Sequence, residues 1–161
     1  MHATRLLRAM HSDAKLQLKV ILGTQDSARA EQQWRALQPV LQLHEQLEDE
    51  FVYAPLSEEH GAGTPLGDWL IRHDSDVALV KELIAQVDKL AKGSPDWRMA
   101  VGQVTAALNK HVMDEEGQIF GRIEQTWDSE RLEAVGVDME RALSKADQPA
   151  AASPVSRARR K

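Results

Sequence analysis

The sequence contains no cysteine. Disulfides, thiolate metal sites and a cysteine nucleophile are therefore excluded, and cysteine usage says nothing about redox compartment. Long hydrophobic runs are missing too: no stretch approaches the ~18 apolar residues of a membrane span. The opening "MHATRLLRAMHSDAKLQ" has no apolar leader core. The expectation is a soluble, cytoplasmic protein that does not engage a membrane. Sustained apolar/polar alternation is absent, which argues against strands. No glycine-rich phosphate loop and no nucleophile elbow for Ser/His/Asp chemistry occurs. An excess of positive charge is also lacking, the net charge being −5. The terminal "DQPAAASPVSRARRK" (147–161) carries four bases and one acid, so it contributes +3 and leaves the body at −8. An acidic body is a poor nucleic-acid-binding face. The tail, rich in proline, alanine and serine, is expected to be a disordered, solubilising basic segment.

What is present is helical spacing. At 161 residues the chain fits one domain with a sizeable core. Breakers divide it into long helical pieces. The first runs from about Thr4 to Leu22 and stops at "GTQDS". The second runs from about Ala28 to the "YAPL" around Pro55, with Pro39 marking a kink or a late start. "SEEHGAG" reads as a loop. Thr64-Pro65 opens a third helix, which ends at Lys92-Gly93; Ser94-Pro95-Asp96 opens a fourth, which ends near Trp127. Asp128 caps a shorter fifth, "SERLEAVGVDMERALSK". Long helices with short connections predict an all-α, up-down-up-down four-helix bundle with a short fifth C-terminal helix. The expected domain is 1–146, with its core at about 3–126, the extra helix at about 128–146 and the disordered tail at 147–161.

Each long helix carries an apolar stripe, and each stripe contains a histidine. The first aligns Leu7, His11, Ala14, Leu18 and Ile21; the second Leu37, Leu41, His44, Glu48 and Phe51. The third aligns Leu66, Leu70, His73, Val77, Val80 and Ile84. The fourth aligns Val101, Val104, Leu108, His111, Glu115 and Ile119, all at the three-and-four steps of a bundle seam. A lone histidine on such a face is usually a satisfied core residue, and a lone His/Glu pair four apart is usually a surface contact. Repetition changes that balance. "HEQLEDEFVYAPL" (44–56) and "HVMDEEGQIFGRI" (111–123) align without a gap, matching His44 to His111 and Glu48 to Glu115. Upstream of each lies one seam histidine, His11 or His73. In an antiparallel bundle four imidazoles and two carboxylates would then converge on one axis.

Two buried carboxylates without a partner cost several kcal/mol each. No lysine or arginine stands on these seams to offset that cost. A metal does, and imidazole with carboxylate suits iron, manganese or zinc. Six ligands exceed one tetrahedral zinc site and suit two ions, each with two histidines, bridged by Glu48 and Glu115. The ferritin-like Glu-x-x-His repeat does not occur, and "HEQLE" places Glu48 where a zinc protease needs its second histidine. Among weaker candidates, Tyr53 is a possible hydrogen-bond donor beside the ligands. Asp49, Asp76 and Asp114 are possible partners of ligand ring N–H groups, although a solvated face suits each better. His60 is expected to be exposed and His2 to be a free terminus.

His11, "HEQLE" with "FVYAPL", "RHDSD" and "HVMDEEGQIF" together resemble the hemerythrin-like HHE cation-binding domain over roughly residues 3–126. The resemblance implies a non-haem centre of two iron ions with an oxo or hydroxo bridge, manganese or zinc being lesser alternatives. By position its ligands are His11, His44, Glu48, His73, His111 and Glu115. It implies a small ligand: dioxygen, peroxide or nitric oxide. Catalase-like peroxide removal or another oxidoreductase activity follows from it, the alternative being a non-enzymatic sensor or iron-binding regulator signalling to a partner. Oxygen carriers of this family place a second histidine at the position of Val77, so a four-histidine centre with an extra open site is implied here. They also place the last carboxylate five residues after its histidine, at Glu116; helix geometry and the internal repeat favour Glu115.

Overall fold

A computed structural model describes residues 1–146; the tail expected to be disordered, 147–161, lies outside the described residues. The described chain is helical, with no strand among the described residues. The elements are α1 (Ala3–Gly23), α2 (Ser27–Glu48), α3 (Ala54–Glu59), α4 (Pro65–Asp88), α5 (Pro95–Asp114), α6 (Phe120–Thr126) and α7 (Ser129–Ala146). Two π-helical turns, Asp49–Tyr53 and Glu115–Ile119, join α2 to α3 and α5 to α6 as continuous rods. With α1 and α4 these rods make the expected four-helix bundle, and α7 packs outside against α1.

The helix starts follow from capping chemistry. Asp26, Thr64 and Ser94 side chains accept from the backbone N–H three residues on, and Asp128 does the same for Arg131 N at 2.8 Å. Pro65 and Pro95 occupy first-turn positions where a missing N–H costs nothing. Helix α2 starts at Ser27, next to the expected Ala28, and runs through Pro39, whose ring faces solvent, so no late start occurs. Two boundaries differ from expectation. The second rod continues to Glu59 instead of ending near Pro55. Helix α4 stops at Asp88, four residues before Lys92, because Lys89 N and Leu90 N turn back on the carbonyls of Gln86 and Val87. Gly93, at φ 72°, makes the reversal and lies against Ser27.

The core forms two clusters either side of the histidine layer. One, around Leu7, Val52, Tyr53, Ile119 and Phe120, is closed by Leu132 and Met139 of α7. The other gathers Leu18, Trp34, Leu37, Trp97, Val101 and Val104. The stripes of α1 and of the fourth rod are buried as expected. In the second rod Phe51 is only half-buried, and Val52, Tyr53 and Leu56 are buried instead. The reason is the π turn, in which Ala54 N bonds to Asp49 O five residues back. The wider turn moves the inward face on by one residue. On α4, Val77, Val80 and Ile84 are also half-buried. Helix α1 packs along α2, α4 along α5, and α1 against α5. The α2–α4 side is the loosest of the four, and polar side chains span it: Lys81 to Glu45 at 2.7 Å, and Gln38 and Trp34 to Asp88.

Candidate metal centre

His11, His44, Glu48, His73, His111 and Glu115 converge between the two apolar clusters, and all six are buried; Glu115 is 0% and Glu48 1% exposed. Three of the four imidazoles point Nε2 at Glu115. The separations are 3.1 Å from His11 to Oε2, and 3.4 Å from His111 and 3.7 Å from His73 to Oε1. Glu48 Oε1 lies 3.2 Å from His44 Nε2 and 3.5 Å from His11 Nε2. The donor atoms fall into two groups with metal-sized spacing: His11, His44, Glu48 and Glu115, and His73, His111 and Glu115. Glu115 is common to both, whereas Glu48, expected to bridge symmetrically with it, stands with the first group alone.

Ring stacking holds the imidazoles. His73 is sandwiched between Trp69 and His111, each centroid 4.8 Å away, and His11 lies parallel to Phe120. Hydrogen bonds hold Glu115 and the outer ring nitrogen of His11. The Tyr53 hydroxyl donates to Glu115 Oε1 at 2.6 Å. Burial, then the charges of Glu115 and Glu48, push its pKa well above the ordinary phenol value, so it remains a donor. His11 Nδ1 lies 2.8 Å from Glu116 Oε1, which fixes the ring with Nε2 inward. Glu116 is thus the outer partner of a ring, and Glu115 is the buried carboxylate. Asp49, Asp76 and Asp114 lie on the outer face that suited them better than a ring-partner role: Asp76 and Asp114 both pair with Lys110, and Asp49 is exposed.

Electrostatics follow from this packing. Burial works against a proton on His11, but Glu115 and Glu48 outweigh it and raise its pKa to about 10. Burial likewise disfavours charge on Glu48, yet His44 and His11 hold its carboxyl well below the usual carboxylate range. For His73 burial prevails and lowers the pKa. These protons do not satisfy the centre. His11 Nε2, both His44 ring nitrogens, Glu48 Oε1 and Glu115 Oε2 are buried with no aligned hydrogen-bond partner among the described residues. The 3.1 Å His11–Glu115 contact is charge proximity without hydrogen-bond alignment. Inward-facing nitrogen and oxygen donors of this kind fit a divalent or trivalent transition-metal ion.

His60 and His2 lie away from this cluster. His60, expected to be exposed, is half-buried with Nε2 enclosed. His2 is not free, its Nε2 lying 3.0 Å from Ser129 Oγ. Sequence reasoning missed the two π turns and the role of Glu116. A signal for the turns existed: after each buried glutamate the apolar residues step by four and five, Val52–Tyr53 and Ile119–Phe120, where an α-helix steps by three and four.

A buried, twofold-repeated H…HxxxE set inside a four-helix bundle defines a cation-binding helical protein. The family model of the hemerythrin HHE cation-binding domain matches residues 2–123, and the chain belongs to that family. A DNA nickase from Nostoc sp. (strain PCC 7120 / SAG 25.82 / UTEX 2576) is 22% identical over 148 residues, covering 92% of this chain and 41% of that protein. The chain thus spans about two-fifths of the length of that curated relative. No solved structure matches the chain at a significant level. Among the described residues no helix is long and apolar enough to cross a membrane.

Proposed function

We propose that this protein is a non-haem di-iron protein that binds or turns over a small oxidant or gas ligand: peroxide, dioxygen or nitric oxide. One observation carries the reading: six buried ligand-type side chains converge with no lysine or arginine among them, and four of them, His11, His44, Glu48 and Glu115, hold buried nitrogen or oxygen atoms without a hydrogen-bond partner among the described residues. His11, His44, Glu48 and Glu115 would hold one ion, and His73, His111 and Glu115 the other. Iron at such a site supplies one-electron redox change and coordination positions not filled by protein. The chain supplies the rest. Glu116 orients His11, Tyr53 hydrogen-bonds Glu115, and the stacked rings of Trp69 and Phe120 exclude water from two sides. Val77 offers no ligand atom, which leaves the α4 side of the centre open.

Metal content, together with the ultraviolet–visible spectrum of aerobically purified protein, tests this. Two irons per chain with an oxo-to-iron charge-transfer band are expected. One zinc per chain, or no metal after iron supplementation, would refute it. Oxygen evolution from added peroxide (two H2O2 giving O2 and two H2O) distinguishes an enzyme from a binder. Glu48→Ala is expected to lose metal, and unchanged iron loading in that variant removes Glu48 from the ligand set.

The likeness to a protein named a DNA nickase supports a second reading, metal-dependent cleavage of a phosphodiester. The acidic charge of the body stands against it. Incubation of metal-loaded protein with supercoiled plasmid decides: relaxed circles that vanish in Glu48→Ala support nicking, and intact plasmid rejects it.

A further inference from the structure

The loose α2–α4 side is a continuous cleft that ends on the candidate metal centre. Its upper chamber, about 640 Å³, reaches Glu48, Tyr53 and His73 beneath a rim of Glu45, Asp49 and Asp74. Its lower chamber, about 320 Å³, is walled by Leu41, Val77, Val80, Ile84 and Leu108 and touches His44 and His111. Gln42, Glu48, Val77 and the Glu45–Lys81 pair border both chambers. A molecule the size of water occupies ~30 Å³, whereas sites for organic ligands run to ~300–1,000 Å³. The cleft is therefore far larger than a diatomic or peroxide ligand requires. From His73 to Ile84 along α4 it extends about 16 Å at 1.5 Å per residue. Half-burial of Val77, Val80 and Ile84 follows from it: three seam residues line an accessible apolar trough where an ordinary bundle would close over them.

We propose that this cleft binds an uncharged amphiphile with a single oxygen-bearing head, an alkyl hydroperoxide or its alcohol. The tail lies along Leu41, Val80, Ile84 and Leu108, and the head faces Glu48, Tyr53 and His73. Charge selects the head. With Glu48 assigned to the metal and Glu45 paired to Lys81, Asp49 and Asp74 leave the rim of the upper chamber net negative. A carboxylate head is repelled by that rim and a neutral one is not. In the lower chamber Leu41, Val77, Val80, Ile84, Ala85 and Leu108 give an extended hydrocarbon an apolar wall, while among the polar lining Gln38 is already paired to Asp88 and Lys81 to Glu45. The head position rests on the di-iron reading above; the tail site does not.

Calorimetric titration with 1-octanol and with octanoate tests the proposal, on protein as metal-loaded and on protein stripped with chelator. Octanol is expected to bind saturably at one per chain, at least tenfold more tightly than octanoate. Ile84→Trp and Ala85→Phe each fill the lower chamber without touching a ligand residue, Ala85 lying on the solvent side where a larger group is tolerated. Each is expected to weaken octanol at least tenfold while helicity and azide binding to the metal-loaded protein stay unchanged. Non-saturable octanol binding, or wild-type affinity in both variants, overturns the proposal. Octanoate bound as tightly as octanol overturns the neutral-head selection. If no iron loads, the di-iron reading fails separately, and the stripped-protein titration still decides the tail site.

Discussion

Tyr53→Phe removes one oxygen atom from the interior and nothing else. The lost hydroxyl donates at 2.6 Å to Glu115 Oε1, and both residues are buried. Hydrogen bonds to charged groups contribute about 1.5–3 kcal/mol, and loss of one partner leaves the other carrying its desolvation. Glu115 Oε1 keeps only the imidazoles of His111 and His73, at 3.4 and 3.7 Å, beyond hydrogen-bond length. The cavity created is smaller than a methyl group, so packing contributes little. The metal-free variant should therefore be destabilised by about 2 kcal/mol. For a domain of this size that lowers Tm by about 4–8 °C. In the metal-loaded protein an ion shares Glu115's charge, so the loss should fall to about half. The assay is thermal unfolding followed at 222 nm, with and without iron. A metal-free Tm within 1 °C of wild type would mean that Glu115 does not depend on this donor.

Metal-free protein should also show a stability window in pH. His11 has its pKa raised from 6.5 to about 10, so its contribution is complete below pH 6.5 and disappears as pH climbs through about 10. Glu48 has its pKa lowered from 4.5, so its contribution is present above pH 4.5 and disappears as acid protonates it. His73, its pKa lowered from 6.5, costs stability below that pH, so urea unfolding across pH 4–10 should be strongest near pH 6.5 and decline above it; a flat profile from 6.5 to 10 contradicts a charged His11. Gly67→Ala probes the loop that starts α4. A Cβ there would stand 2.0 Å from Gly61 O and 2.9 Å from His60 O, both backbone atoms that cannot swing aside. A loss of about 1–3 kcal/mol is expected, and wild-type urea stability would show that the loop moves freely.

Much of the site was legible before any coordinate. Helical periodicity put a histidine on each of four apolar stripes, and the repeat of 44–56 in 111–123 paired them with Glu48 and Glu115. That held because α-helical spacing alone places residues four apart on one face. Downstream of Glu48 the same rule failed. Phe51 was expected inside and is half-buried, because a π turn adds a residue per turn where the chain passes the histidine layer. Local sequence does not encode that choice strongly. It is made where Glu115 must reach three imidazoles while Ile119 and Phe120 still meet the core.

By itself the sequence determined the long helical rods, the helix starts at Thr64, Ser94 and Asp128, the buried stripes of the first and fourth rods, and which six side chains belong together. All of these depend on short-range spacing and capping chemistry. The tertiary structure alone decided the asymmetry: Glu115 shared by both donor groups with Glu48 confined to one, Glu116 bonded to His11 across 105 positions, and Tyr53 aimed at Glu115 across 62. It also decided that α2 and α4 stand apart along a cleft lined by Val77, Val80 and Ile84. Those features depend on how far apart two helices lie, a distance set by the side chains of both at once and readable from neither alone.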